Sequence, residues 1–164
     1  MEHSCTRASV DPVHPVINIP VLLDRLCYRY PSMLVDAITE HEKGERLLAV
    51  KNVTVNEEFF QGHFPGAPLL PAVLMLESLS QVAAILLLER DGAPPNARVC
   101  LRGVNDAKFR RQVVPGDRLL LEITLGKRRG PLARARAVAY IGDQVVAEAE
   151  LLLGLVSDET DIDA

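Results

Sequence analysis

The sequence contains no tryptophan and few other aromatic residues, which make up 4% of its 164 positions. A hydrophobic core must therefore be aliphatic, and the hydrophobic fraction of 48% is ordinary for a globular protein. Cysteine is also scarce, because Cys5, Cys27 and Cys100 lie far apart and form no zinc-ligand spacing. These absences argue against a disulfide-stapled scaffold and a zinc module, and reduced thiols favour a cytoplasmic protein.

An excess of positive charge is missing too, since the formal net charge is −4. A general nucleic-acid binder carries a basic excess, so no nucleic-acid partner is predicted. The first residues lack the charged and apolar regions of a secretory signal. We expect a mobile N-terminal arm at residues 1–16, one domain at 17–155 and an acidic C-terminal tail at 156–164.

One apolar run, from Leu69 to Leu88, is long enough to cross a bilayer. It contains Pro71 and Glu77, however, and a carboxylate near mid-bilayer costs roughly 2.5–3.5 kcal/mol on insertion scales. The run instead predicts an enclosed helix that begins near Pro71, where a missing N–H costs nothing, and ends at about Arg90. No membrane span is predicted.

Strand patterns surround this helix. One short helix over Val21 to Leu26 comes first, and the alternation of side chains then predicts strands at Met33 to His41, Glu45 to Val55, Arg98 to Val104, Lys108 to Val113, Arg118 to Lys127, Leu132 to Ile141 and Gln144 to Leu155. From Ala133 to Ala139, alanine occupies every second position, so the helix can pack closely on that face. The pattern predicts an α+β hot-dog fold, an antiparallel sheet wrapped around one long central helix. Because one small sheet cannot cover such a helix, we expect an isologous dimer.

Two polar side chains are not explained by a solvated face. His63 lies in a loop rich in glycine and proline, and Glu77 lies on the second helical turn among apolar neighbours. Burial should raise the pKa of the Glu77 carboxyl and make it a proton donor, whereas histidine is a natural base. Beside the free amides of Ala72 and Val73, the pair suggests proton abstraction next to a carbonyl. A structural histidine, and a glutamate satisfied by Gln81, remain alternatives.

The residues from Phe59 to Gly66 read FFQGHFPG, and Pro71, Glu77 and Gln81 follow at fixed distances. The chain also contains RYP at 29–31, LVD at 34–36, NVTVNE at 52–57 and AKFRR at 107–111. Together these segments resemble the signature of the β-hydroxyacyl-acyl-carrier-protein dehydratases of type II fatty-acid synthesis. The likeness extends from about Ile19 to Leu153.

The resemblance implies a hot-dog homodimer, commonly assembled as a trimer of dimers, that reversibly dehydrates a 3-hydroxyacyl-[acyl-carrier-protein] thioester to the trans-2-enoyl thioester. His63 would remove the α-proton, Glu77 of the partner subunit would protonate the departing hydroxyl, and the amide of Ala72 would hold the thioester carbonyl. Neither a metal nor a redox cofactor is implied. Further substrate contacts are expected from Phe64, Pro65, Val73, Gln81 and Phe109.

Two features leave the function open. Ala72 stands where the family usually has glycine, and its methyl group projects where substrate and backbone approach closely. Lys108, Arg110 and Arg111 form either a solvated strand end or a dock for the acidic carrier protein. The alternatives to a dehydratase are a hot-dog thioesterase, which would need a carboxylate-activated water, and a non-catalytic acyl-carrier-binding subunit, which Ala72 favours.

Overall fold

The computed structural model describes residues 16–17, 26, 28–90 and 97–156. Its elements are, in chain order, β1 (Ala37–Glu42), β2 (Arg46–Asn52), a 3₁₀ turn (Glu58–Gln61), the helix α1 (Ala72–Leu88), β3 (Arg98–Phe109), β4 (Arg118–Arg129), β5 (Leu132–Ile141) and β6 (Gln144–Val156). The strands form one antiparallel sheet in the order β1-β2-β4-β5-β6-β3. With α1 packed against this sheet, the predicted α+β hot-dog fold is confirmed.

The helix α1 begins directly after Pro71, as predicted, and its side chains from Ser78 to Leu87 are all buried. The alternate alanines of β5, from Ala133 to Ala139, are buried in the same core. Small side chains on this face let the bulky helix approach the sheet closely. Within one chain, the helix is thus buried from Ser78 to Leu87, while Val73 near its start is exposed, and the expected dimer stays a prediction.

The predicted strands Arg98 to Val104 and Lys108 to Val113 are wrong as two separate elements. One strand, β3, replaces them and ends at Phe109, and its pairing with β6 shifts register near Leu101 and again after Asn105. The polar pair Asn105-Asp106 lies between the two predicted strands and has the character of a turn. Asp106 has a φ of 50°, a conformation that aspartate tolerates. A β-bulge accommodates this residue without ending the strand.

The remaining strand boundaries differ from the predictions by a few residues, with β1 starting at Ala37 and β2 ending at Asn52. The predicted helix Val21 to Leu26 falls almost entirely outside the described residues, as do positions 1–15 of the arm and 157–164 of the tail. Val16 is described, and its N–H donates to the carbonyl of Ile38 at 2.7 Å. The arm's final residue is thus attached to β1.

Among the described strands, β3 is an edge of the sheet and pairs only with β6. Three of its large apolar side chains are exposed: Leu101 is 38%, Val104 36% and Phe109 43% accessible. A long apolar edge with unpaired backbone groups is a template for association with another strand. The β3 edge is therefore an exposed apolar surface of the kind that indicates a partner.

On the sheet face away from the helix, Arg46 connects three strands. Its Nη1 lies 2.6 Å from Oε2 of Glu40, and its Nε lies 2.6 Å from Oε1 of Glu122. The hydroxyl of Tyr140 donates to the other oxygen of Glu122 at 3.0 Å. Burial alone raises the pKa of Glu122, but the hydrogen bonds from Arg46 and Tyr140 outweigh it and hold the pKa below its usual 4.5.

We expect the stability supplied by Glu122 to disappear in acid. A carboxyl group with a lowered folded-state pKa stabilises the fold above its unfolded pKa, and this contribution is lost as the pH falls through the folded value. Glu122→Gln should therefore lower the free energy of unfolding at pH 7, by at most about 1 kcal/mol, and the difference should vanish below the folded pKa. Urea unfolding over a pH series measures this. Glu45→Gln, at an exposed turn position, is the matched control. A difference that does not change with pH would contradict the assignment.

Candidate active site

The loop from Gly62 to Leu70 is held by its own backbone. Phe64 and Ala67 exchange N–H to carbonyl hydrogen bonds of 3.1 and 2.9 Å. The N–H of Leu70 donates to the carbonyl of Val113 at 2.8 Å, which ties the loop to the segment after β3. Two independent attachments therefore fix the loop that carries His63.

The His63 ring is oriented by one hydrogen bond. Its Nδ1 lies 2.7 Å from the carbonyl oxygen of Leu69. Because a carbonyl only accepts, Nδ1 carries the proton, and Nε2 of the neutral ring is left with a lone pair. The ring also stacks on Phe64, with centroids 4.1 Å apart. His63 is thus held in the tautomer that a general base requires.

His63 lines a cavity of about 460 Å³ between the loop and the end of β3. The other predicted site residues that line it are Phe64, Ala72, Phe109, Arg110 and Arg111. These positions are distant in sequence, and the fold brings them together because β3 ends beside the start of α1. The sequence prediction of a common site around His63 agrees with this placement.

The start of α1 supplies hydrogen-bond donors to the same cavity. The amides of Leu74 and Met75 donate to the carbonyl of Pro71, at 3.0 and 3.4 Å. Among the residues that the structure describes, the amides of Ala72 and Val73 have no acceptor. The first amides of a helix point along its axis at the positive end of the helix dipole, so they can stabilise an oxygen that becomes negative.

Glu77 lies against a different and larger cavity of about 730 Å³. Tyr28, Tyr30, Met33 and Leu74 form part of its wall. The side chain of Glu77 is half-buried, so it is less enclosed than its apolar neighbours in sequence suggested. This second cavity has mixed polar and apolar walls, as small-molecule sites usually have.

A hydrogen bond from Gln81 fixes the position of the Glu77 carboxyl group. Gln81 Nε2 donates to Glu77 Oε1 at 2.9 Å and to the carbonyl of Ser32 at 2.7 Å, while Gln81 Oε1 accepts from the N–H of Leu34 at 3.0 Å. The contact between Gln81 and Glu77 that the sequence left as an alternative is therefore present. Gln81 is fully buried, and this position favours holding Glu77 over the predicted contact with substrate.

Within one chain, His63 and Glu77 line separate cavities. Val73, which is 68% exposed, and Pro65 border neither of these two cavities. Their roles as substrate contacts stay predictions. The two side chains that the sequence predicts as base and acid therefore do not line a common cavity within one chain.

The basic cluster after β3 is partly neutralised. Arg110 pairs with Glu148, and Lys108 Nζ lies 4.0 Å from the same carboxylate. Arg111 Nη2 lies 3.5 Å from Asp117 Oδ1. The hydrogen bond from Arg110 holds the pKa of Glu148 below its ordinary value. An acidic partner at this cluster would compete with two carboxylates, and docking there stays a prediction.

Sequence reasoning missed Lys51, which is only 4% exposed and lines the larger cavity. Its Nζ lies 2.9 Å from Oε2 of Glu57. The signal was available, because Lys51 falls on the face of β2 that carries Leu47 and Ala49. A lysine on a buried face needs an anionic partner, and Glu57 supplies it.

Among the described residues, no group of three His, Cys, Asp or Glu side chains is arranged to hold a metal ion. None of the helices that the structure describes is long and apolar enough to cross a membrane.

Residues 26–150 match the family model of the FabA-like domain. The chain is 44% identical, over 85% of its own length and 98% of the relative's, to the 3-hydroxyacyl-[acyl-carrier-protein] dehydratase FabZ of Desulforamulus reducens. It is 45% identical to the FabZ of Paracidovorax citrulli, with 84% and 95% covered, and 44% identical to that of Klebsiella pneumoniae, with 83% and 91% covered.

Solved structures share the fold at low sequence identity. The dehydratase heterocomplex ApeI:P of Xenorhabdus doucetiae superposes with a TM-score of 0.68 at 14% identity, covering 86% of this chain and 94% of that one. An uncharacterized protein of Pyrococcus horikoshii superposes with a TM-score of 0.58 at 16% identity, covering 83% and 94%. At these identities the likeness concerns the fold alone.

Proposed function

This chain belongs to the FabA-like family, among its FabZ-type dehydratases, and we propose that it reversibly removes water from a 3-hydroxyacyl-[acyl-carrier-protein] thioester in fatty-acid synthesis. The observation that carries the catalytic assignment is the separation of His63 from Glu77. Each lines its own cavity in one chain, so neither cavity contains both the proposed base and the proposed acid. Sites composed of His63 from one chain and Glu77 of the partner subunit supply both.

In the proposed reaction, Nε2 of His63 takes the α-proton of the thioester. Negative charge then develops on the carbonyl oxygen, and the amide of Ala72 donates a hydrogen bond to it. Glu77 of the partner subunit protonates the β-hydroxyl as its C–O bond breaks, so water leaves and the α,β double bond forms. His63 ends protonated and Glu77 of the partner subunit ends ionised, and proton exchange with water restores both.

A homodimer through the β3 edge is part of this proposal. Leu101, Val104 and Phe109 are exposed along that edge, and Phe64 beside His63 is exposed as well. Antiparallel pairing of two copies of β3 would cover these apolar side chains and satisfy the free backbone groups. It would also bring the His63 cavity of one chain to the partner. A trimer of such dimers is the larger assembly that the resemblance implies.

The carrier protein and a cytoplasmic location complete the proposal. The names of the related dehydratases specify a substrate that is attached to the acyl carrier protein. Lys108, Arg110 and Arg111 stand at the mouth of the His63 cavity or next to it, where an acidic carrier would present its acyl chain.

The non-catalytic alternative rests on Ala72. Ala72 lines the His63 cavity, so the residue that replaces the usual glycine borders the proposed site. Its amide nevertheless keeps the donor that the reaction needs, and no acceptor within the described residues occupies it. The geometry thus supports an active enzyme, and Ala72→Gly would measure how much the methyl limits turnover.

We expect the purified protein to form enoyl thioester from a 3-hydroxyacyl carrier thioester without releasing thiol. Absorbance of the conjugated enoyl group and a thiol reagent, followed in one reaction, measure both products. Thiol release without enoyl formation would instead identify a thioesterase. Silence in both channels, with tight carrier binding, would identify the non-catalytic subunit.

A further inference from the structure

A buried ion pair anchors the connection between β2 and the loop of His63. Lys51, near the end of β2, is only 4% exposed, and its Nζ lies 2.9 Å from Oε2 of Glu57. The other carboxylate oxygen, Oε1, accepts the N–H of Thr54 at 3.1 Å. Glu57 directly precedes the 3₁₀ turn, and β2 is an inner strand of the sheet. The Lys51–Glu57 pair therefore attaches the start of this turn to the interior of the sheet.

Backbone hydrogen bonds continue from Glu57 to His63. The N–H of Phe60 donates to the carbonyl of Glu57 at 3.1 Å, and the buried Phe60 side chain packs in the core. The carbonyl of Phe59 accepts the N–H of His63 at 2.9 Å. The backbone of His63 is thus held from two directions, by the contacts of its own loop and, through the 3₁₀ turn, by the buried ion pair.

Stability alone does not explain a charged pair at this position. Lys51 falls on the face of β2 that carries Leu47 and Ala49, and apolar residues that replace a buried ion pair often leave stability unchanged or raise it. An ion pair differs from apolar packing in that it fixes direction as well as distance. We propose that Lys51 and Glu57 are positioning residues, which hold His63 where proton transfer requires it. The inference rests on the proposed function, in which His63 is the base.

We expect Lys51→Met to lower kcat by roughly 10–100-fold and to change KM by less than about twofold, because a misplacement on the order of 1 Å has an effect of this size on the chemical step. Methionine fills most of the space of the lysine stem but forms no ion pair, so the 3₁₀ turn can shift within an intact fold. Steady-state enoyl formation gives both constants. Lys43→Met, at an exposed turn position, is the matched control and should change neither.

A protein without His63 separates positioning from a direct contact with substrate, because Lys51 and Glu57 also line the larger cavity. In His63→Ala, the residual rate, with or without added imidazole, no longer depends on where the backbone places a histidine. Lys51→Met should therefore change that rate by less than about twofold, since two changes that act through one group are not additive. A loss as large as in the protein that retains His63 would overturn the proposal.

A second variant tests whether an unpaired charge causes the loss. Lys51→Met leaves the carboxylate of Glu57 without its cation, and an unpaired buried charge can disturb a site on its own. Lys51→Met/Glu57→Gln removes both charges and keeps an acceptor for the N–H of Thr54, so it should fold and remain as slow as Lys51→Met. Recovery of more than about half of the activity would contradict positioning by the pair. If Lys51→Met does not fold, the double variant replaces it in the kinetic comparison.

Hydrogen exchange tests the connection without any substrate. In Lys51→Met, the amides of Phe60 and His63 should exchange at least about tenfold faster, whereas the amide of Leu70, which donates to Val113, should keep its rate. Unchanged exchange at Phe60 and His63 would overturn the proposal even in an active dehydratase. Faster exchange there, in a protein whose unchanged form makes no enoyl thioester, would instead refute the proposed function and support the connection between the ion pair and His63.

Discussion

His63→Ala should lower kcat for dehydration by about 10²–10⁴, the usual contribution of a positioned general base. The reason is specific to the geometry, because the Nδ1 proton is held by the carbonyl of Leu69 and only Nε2 can accept the α-proton. The fold should survive, since the His63 side chain is half-buried and His63 lies in a loop outside the helix and the strands. Steady-state enoyl formation measures the loss, and circular dichroism checks the fold.

Added imidazole provides a sharper control. The substitution leaves a space in a cavity of about 460 Å³, so imidazole can enter and restore part of the proton transfer. Rescue should increase with pH as imidazole loses its proton. Should His63→Ala retain activity within tenfold of the unchanged protein, His63 would not be the base.

Mixing two inactive variants should restore activity. Glu77→Gln and His63→Ala each remove one group from every site of a homodimer. In a mixed dimer, one site lacks both groups and the other has both, so random exchange of subunits should restore roughly a quarter of the full activity. Enoyl formation, after equal amounts of the two variants are refolded together, measures this effect. The activity of the separate variants is nearly zero, so the restored activity stands out clearly.

Each variant refolded alone is the matched control and should remain inactive. The result distinguishes a site shared between two chains from a site formed within one chain. If both groups acted within one chain, the mixed dimer would contain no intact site, and the mixture would stay as inactive as its components.

Most of the fold could be predicted because its elements follow local rules. The helix starts after Pro71, and the alanine face of β5 is buried, as periodicity indicated. Strand β3 was divided wrongly because Asn105 and Asp106 carry turn chemistry, which a bulge absorbs only when a neighbouring strand is present.

The site was predicted in part. The motif residues around His63 line one cavity, because the motif includes both the loop and the start of the helix. The separation of His63 from Glu77 into two cavities is a property of the three-dimensional surface, so sequence spacing could not reveal it. Lys51 was overlooked because its partner, Glu57, lies beyond the end of the strand.

The amide of Gln81 has a consequence for evolution and for engineering. It joins Glu77 to the backbone of Ser32 and Leu34, and both of those residues belong to the wall of the larger cavity. A substitution that reshapes this wall to admit a longer or shorter chain also displaces the carboxyl group. If Glu77 acts as the proposed acid and the larger cavity receives the acyl chain, selectivity and turnover are mechanically coupled, and variants selected for a new chain length should need a compensating change near Gln81 to recover speed.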